Sequence, residues 1–297
     1  DPIAKDNILA NDARYMPRTK NVGRVNFNGN LDGKINIPTV EEFDTLWPKG
    51  VCNLCGFILD TEKNETILNC PSCSCRPRLR TLPILLHLLE DLISENSDGE
   101  LLAFARTKDE AAFIDHRFTS VKSVSLFGNY GNEHSQGVDV RNLSRFSDLQ
   151  FSATYSMLLF DYFPEHATAL RELARVTREG GIFLTHIGNH RLMEGYFPAY
   201  THSKVVARPE HFEYLKDESL PSIKVGRDWF LTQMDKCGFS PNNIMICDPI
   251  SNEFHTWYIG LRRSLDDTVN FFVNPRFKDE VVQENDLIAF FHGQRTA

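Results

Sequence analysis

The chain has 297 residues, 41% of them hydrophobic, enough for one large core with a small accessory unit. Its 32 basic residues against 40 acidic ones leave a net charge of -8, which argues against a broad polyanion-binding surface and so against nucleic acid as the partner. No apolar run approaches the ~18 residues needed to span a bilayer and no secretory leader is visible, so a cytoplasmic protein without membrane association is expected.

Residues 1–48 are rich in Asn, Asp, Gly and Pro, and the Asp1-Pro2 start reads as a trimmed end. Asn28-Gly29 and Asp32-Gly33 are turn signals, so residues 25–27 and 34–37 are predicted to pair as a short hairpin. Residues 40–47 read as a short helix opened by Thr39, with Glu42 three residues on to complete a capping box. The whole segment is expected to lie as an arm along the main domain.

Five of the seven cysteines fall between positions 52 and 75. Cys52-x2-Cys55, fourteen intervening residues and Cys70-Pro71-Ser72-Cys73 form two knuckles, each able to direct two thiolates at one tetrahedral ion. The intervening length suits a β-hairpin, and the arrangement predicts a structural zinc ribbon in a reducing compartment, with an iron–sulfur cluster as the alternative. Four thiolates leave no open position for catalysis, and Cys75 is either a replacement for Cys73 as ligand or a spare thiol, the latter being the preferred reading. Arg76, Arg78 and Arg80 follow at once, placed to offset the negative charge of such a centre.

Residues 82–93 carry leucines at helical spacing. Residues 101–105 read as a first strand, 108–116 as a helix, 121–127 as a second strand and 138–140 as a short third. An apolar run without helical period at 153–160 predicts a strand buried on both faces. A helix follows, opened by Pro164 and Glu165, with Leu170, Leu173, Ala174 and Thr177 as its buried stripe and Gly180-Gly181 as its stop. Residues 182–187 are a further strand, which completes a strand–helix–strand crossover. Residues 226–237 read as a helix, and 244–247 and 254–261 as strands. Residues 191–225 form a long aromatic- and histidine-bearing insertion, read as an active-site cover.

The strings Phe160-Asp161-Tyr162-Phe163-Pro164, Arg171-Glu172-Leu173-Ala174-Arg175-Val176 and Glu179-Gly180-Gly181 carry a resemblance. In this order they resemble the second half of class I S-adenosylmethionine-dependent methyltransferases. The stretch from Cys70 to Arg80, with Arg78 and Arg80 at the family's spacing, is similar to the subset of that superfamily preceded by a four-cysteine ribbon. The resemblance implies an α/β fold: a Rossmann-like sheet with helices on both faces, closed by an antiparallel pair and preceded by a small zinc ribbon. The expected domains are an arm at 1–48, a ribbon at 49–80, a methyltransferase domain at 81–263 and a tail at 264–297.

The resemblance also places the cofactor, S-adenosylmethionine, beyond the carboxyl ends of the strands. There it implies the backbone at Ala105, Arg106 and Thr107 after the first strand, and Phe127 and Gly128 after the second. It further implies Asp139 and Val140 near the adenine and Leu158 after the fourth strand. The first loop holds no glycine and the second strand ends without a carboxylate, both departures from the family pattern. Candidate acids and bases by position are Asp161 and Tyr162, His166 opening the helix, and His186 with His190. His186 and His190 would share one helix face if that stretch were helical, which leaves a metal pair open. The implied function is methyl transfer to a small-molecule or sugar-like acceptor. The alternative is a methyltransferase-like fold with a degenerate cofactor site, serving as a binding module or catalysing another reaction.

Overall fold

The computed structural model describes residues 24–29, 31, 33–59, 69–126, 137–161, 163, 165–188, 204–205, 223–224 and 227–264. In chain order these form β1 (Val25–Asn28), α1 (Val40–Leu46), α2 (Pro77–Leu88), α3 (Glu90–Ser94), β2 (Glu100–Phe104), α4 (Lys108–Ile114) and β3 (Ser120–Val124). There follow β4 (Phe151–Met157), α5 (His166–Val176), β5 (Thr177–His186), a two-residue pair β6 (Lys204–Val205) and β7 (Ile223–Lys224), α6 (Arg227–Lys236), β8 (Phe239–Cys247) and β9 (Phe254–Arg262). No helix among the described residues is long and apolar enough to cross a membrane.

The main sheet has seven strands in the order β1-β8-β9-β5-β4-β2-β3. β3, β2, β4 and β5 run parallel, and β9, β8 and β1 add antiparallel to the β5 edge. β4 is buried from Phe151 to Ser156, as a strand covered on both faces must be. Ser156 of β4 and Thr185 of β5 share a hydrogen bond of 2.8 Å, and Ser152 donates to the Glu100 carbonyl at 3.2 Å, while the buried Thr154 hydroxyl has no partner among the described residues.

Each face of the sheet carries its own core. On one, Leu82, Leu85 and Leu89 around α2 meet Leu101, Tyr155 and Trp257. On the other, Leu170 and Leu173 of α5 and Phe230 and Met234 of α6 meet Phe183 and Tyr258. This two-faced packing is the doubly wound arrangement that the crossover implied.

Several expected boundaries move, each for a local reason. The leucine stripe at 82–93 is divided between α2 and α3, and α2 opens at Pro77, whose fixed φ and missing N–H suit a first turn. Residues 138–140 form a turn instead of a third strand. Asp139 accepts the backbone N–H of Arg141 at 2.9 Å, a side-chain turn that competes with strand pairing. The predicted hairpin of 25–27 with 34–37 does not form; β1 pairs with β8 and becomes an edge of the main sheet. The capping box is present, with Thr39 accepting from Glu42 and Glu42 accepting from Thr39.

Gly180-Gly181 does not stop α5, which ends at Val176. The glycines sit in a bulge, where the β4–β5 register jumps from Phe151↔Thr177 to Ala153↔Ile182. Gly180 has a φ of 70° there, and a Cβ at Gly181 would fall 2.8 Å from the carbonyl oxygens of both Arg178 and Ser152. The insertion at 191–225, apart from β6 and β7, and the tail beyond 264 lie outside the described residues, as do Pro164 and the loop at 60–68 between the knuckles.

Candidate active site and cysteine cluster

β2 and β4 lie side by side, and the chain leaves β2 toward one edge of the sheet and β4 toward the other. In open α/β sheets such a reversal is where a crevice at the carboxyl ends of the strands holds ligands. Both strand ends carry strained backbone: Ala105 has a φ of 47° and Leu158 a φ of 61°. A left-handed conformation at a residue with a Cβ costs roughly 1–2 kcal/mol. Both residues are ones that the resemblance offers as cofactor positions; Ser74, Leu149 and Asn252 share the conformation elsewhere. Sequence reading looked for glycine at Ala105; the bend is made without one.

The turn after β2 is closely built. Ala105 donates its N–H to the Val124 carbonyl at 2.8 Å, and the buried Arg106 pairs with Asp115 at 2.8 Å. Thr107 caps α4 by accepting from the Glu110 N–H. Glu110 is buried and accepts from the hydroxyls of Thr107 and Tyr155 at 3.1 and 3.2 Å; burial pushes its pKa up. Asp139 is half-buried and gripped by the Arg141 guanidinium at 2.7 Å, which also reaches Glu165 at 3.1 Å. Burial raises the Asp139 pKa, the hydrogen bonds of Arg141 lower it, and the net shift is downward. Val140 is buried beside it, and Phe127 and Gly128 lie outside the described residues.

The candidate acids and bases separate into two environments. Asp161 is buried after β4 and accepts the Gly188 N–H at 3.0 and 3.1 Å, bridging the ends of β4 and β5. Burial pushes its pKa up to about 7, against the opposing pull of that N–H and of the Arg78 charge. His186 is the last residue of β5, so it is on a strand and the helical spacing to His190 does not apply. His190 and Tyr162 lie outside the described residues. His166, by contrast, is fully buried on the other face of the sheet among Phe160, Phe163 and Phe230. Its Nε2 hydrogen-bonds the Phe160 carbonyl at 2.8 Å, and burial pushes its pKa down to about 4. That environment suits a core contact.

Two residues of this site were not placed in it from the sequence, where Arg78 reads only as a charge balance for the cysteine centre and part of the ribbon string. Arg78, in the first turn of α2, exerts its charge on Glu110, Tyr155, Asp161, His186 and His255 alike. His255, near the start of β9, sits 3.3 Å from His186. The R-x-R string after the knuckle was the available signal for Arg78; nothing in the sequence pairs His255 with His186.

The Asp161 carboxyl supplies a pH test. Its folded pKa lies above the ordinary carboxylate value, so the unfolded chain releases the proton first and stability falls as pH rises from about 4 to about 7. Asp161→Asn is expected to remove that decline, worth about 2–4 kcal/mol over the window, in urea unfolding at its two ends. An unchanged slope in the variant would assign it to another group.

The cysteines form a cluster of their own. The Sγ atoms of Cys52, Cys55, Cys70 and Cys73 all lie within 4.8 Å of one another. Cys55 and Cys70 are 3.6 Å apart and Cys52 and Cys73 3.9 Å. These distances fit a tetrahedron with bonds of ~2.3 Å to a central ion, whose edges are ~3.8 Å.

The two knuckles repeat one geometry. Gly56 and Ser74 donate to the carbonyls of Cys52 and Cys70 at 2.8 Å, and Cys52 and Cys70 donate to the carbonyls of Phe57 and Cys75. Gly56 and Ser74 both have positive φ, 73° and 58°. Cys75 therefore occupies the position of Phe57. Its thiol lies 3.5 Å from Cys52, and burial pushes its pKa up to about 11, whereas the Cys55 thiol is held down to about 6, first by the backbone at Phe57.

Residues 100–185 match the family model described as a methyltransferase domain. The match runs from the start of β2 into β5. Among solved structures it is similar to the 1,6-didemethyltoxoflavin-N1-methyltransferase of Burkholderia thailandensis, with 13% identity over 63% of this chain and 78% of that one and a TM-score of 0.44. A methyltransferase from Listeria monocytogenes matches at 10% identity over 60% of this chain and 98% of that one, with a TM-score of 0.45. DesVI of Streptomyces venezuelae matches at 12% identity over 63% and 94%, with a TM-score of 0.43. No curated protein matches the chain in sequence.

Proposed function

We propose that this protein transfers a methyl group from S-adenosylmethionine to a small-molecule or sugar-like acceptor, with a structural zinc ion held by Cys52, Cys55, Cys70 and Cys73. The supporting observation is the reversal of strand order between β2 and β4, where strained Ala105 and Leu158 flank a cluster of charged and titratable groups around Arg78. Methyl transfer is an in-line displacement, so holding donor and acceptor in register is most of the catalysis. In this reading the backbone at 105–107 approaches the cofactor and Arg78 balances its carboxylate. Asp139 and Val140 serve the adenine end, and Asp161 and His186 face the acceptor. The zinc ion supplies no chemistry and holds the amino end of α2, and with it Arg78, against the strand ends. The proposed units are the arm at 1–48, the ribbon at 49–80, the catalytic domain at 81–263 and the tail at 264–297.

Titration calorimetry of zinc-loaded protein with S-adenosylmethionine and S-adenosylhomocysteine tests this reading. Micromolar binding of both is expected. Arg78→Met should weaken each at least tenfold, about 1.4 kcal/mol, and Asp139→Ala should weaken them to a lesser degree. Absence of binding at millimolar ligand would sink methyl transfer and leave a repurposed fold.

A further inference from the structure

β5 and β9 run antiparallel with His186 opposite Trp257, which puts His255, two residues before Trp257, on the same face as His186. Trp257 wedges the pair in place: its ring meets His186 edge-on at 5.1 Å, and its Nε1 donates to Thr81 of α2 at 3.0 Å. His186 Nε2 and His255 Nδ1 are 3.3 Å apart and the ring centroids 5.5 Å apart. The centroid separation exceeds the nitrogen separation by only about one ring width, so the facing nitrogens point at each other. A metal ion shared by both would need their lone pairs to converge on a third point; this is hydrogen-bond geometry.

One proton therefore lies between the rings, and the two outer nitrogens are left over. Among the described residues, His186 Nδ1 and His255 Nε2 are buried and have no hydrogen-bond partner. The rings are 1% and 8% exposed. The charges that reach them are Arg78 and Arg80 from α2 and Asp248 after β8. Burial first, then the neighbouring ring and Arg78, holds His186 well below its ordinary pKa; burial holds His255 at about 4. Two neutral rings sharing one proton present, whichever tautomer holds, one bare nitrogen and one N–H at their outer ends.

We propose that His255 is the positioning partner of His186, and that the pair offers an acceptor substrate a bare nitrogen at one end and an exchangeable N–H at the other. The proposal rests on the methyl-transfer reading and narrows its acceptor class: alcohols, phenols or N–H compounds, which must lose a proton on methylation. As the acceptor's oxygen or nitrogen bonds the methyl carbon, the carbon–sulfur bond breaks and its electron pair stays on sulfur. The acceptor's proton passes to the bare outer nitrogen, the shared proton crosses to the facing ring, and the far N–H gives its proton to a water molecule as the product leaves. The positive charge of the sulfonium leaves as that proton, and no buried imidazolium forms.

Long-range proton–nitrogen correlation spectra of the zinc-loaded full chain, labelled with ¹⁵N-histidine, test the pairing. Both rings should stay neutral across about pH 5.5 to 7.5, where free histidine titrates, with one facing nitrogen protonated and the other bare. His255→Gln, which can still donate or accept, should keep His186 in one tautomer, and His255→Phe should give a mixture. Phenol, as probe, should move the resonance of the bare outer nitrogen, and toluene should not. Titration of His186 near its ordinary value in the wild type, an unchanged His186 pattern in His255→Phe, or no response to phenol would each overturn the proposal. The wild-type spectra decide even if a variant fails to fold. Loss of S-adenosylmethionine binding in calorimetry would instead strike the methyl-transfer reading and leave the ring pairing to its own result.

Discussion

Replacing Arg80 with methionine is expected to cost the fold about 3–5 kcal/mol in urea unfolding. Arg80 and Asp248 are both fully buried and meet through two parallel bonds, Nε to Oδ1 and Nη2 to Oδ2, each 2.7 Å. Asp248 also accepts the N–H and hydroxyl of Ser251 at 2.7 Å, and Arg80 donates to the Cys75 carbonyl at 2.7 Å. Removing the guanidinium leaves a carboxylate in the interior with its charge uncompensated, a larger loss than the pair is worth when intact. The double variant Arg80→Met/Asp248→Leu is accordingly expected to recover much of that loss. Arg80→Lys should behave more like methionine than like arginine, because an ammonium cannot form the two-pronged contact. A single variant within about 1 kcal/mol of the wild type would mean that the pair is not buried as described.

Loss of metal is expected to have the other large effect. The wild type should carry close to one zinc per chain, and Cys52→Ser or Cys70→Ser should lose it. Cys75→Ser should keep it, since the four others already complete a tetrahedron. Structural zinc sites of this kind contribute on the order of 10 kcal/mol to the folding of their own segment, so chelation should unfold the knuckles. The damage should spread. Gly50 donates to the Pro249 carbonyl at 2.8 Å, and the Asn53 side chain donates to the Arg80 carbonyl at 2.8 Å, so the ribbon is tied both to α2 and to the turn after β8. Thermal melting with and without a chelator, read with elemental analysis, checks both points. A metal-free protein with an unchanged melt would remove the ion from the account.

The α5 stripe of Leu170, Leu173 and Ala174 was legible because helix–sheet packing writes its period directly into the chain, and all three are buried. The cysteine spacing was legible for a related reason: each knuckle is four residues long, and its geometry is set by the local backbone. The third strand at 138–140 was misread, because Asp139 turns its side chain onto Arg141 and the apolar residues on either side do not reveal that. His166 and His186 look alike as letters; one is enclosed by phenylalanines and the other meets a second histidine from a strand that begins 68 residues later in the chain.

By itself, then, the sequence determined the class of fold, the order of the parallel crossover and the four thiols of the cluster, since each depends on residues close together in the chain. Only the tertiary structure decided that the Arg78 charge acts on Asp161 and the two histidines, that Arg80 is buried against Asp248, and that His255 faces His186. Those contacts join segments far apart in the chain, and their energies depend on burial and on exact distance, which no local pattern of residues encodes.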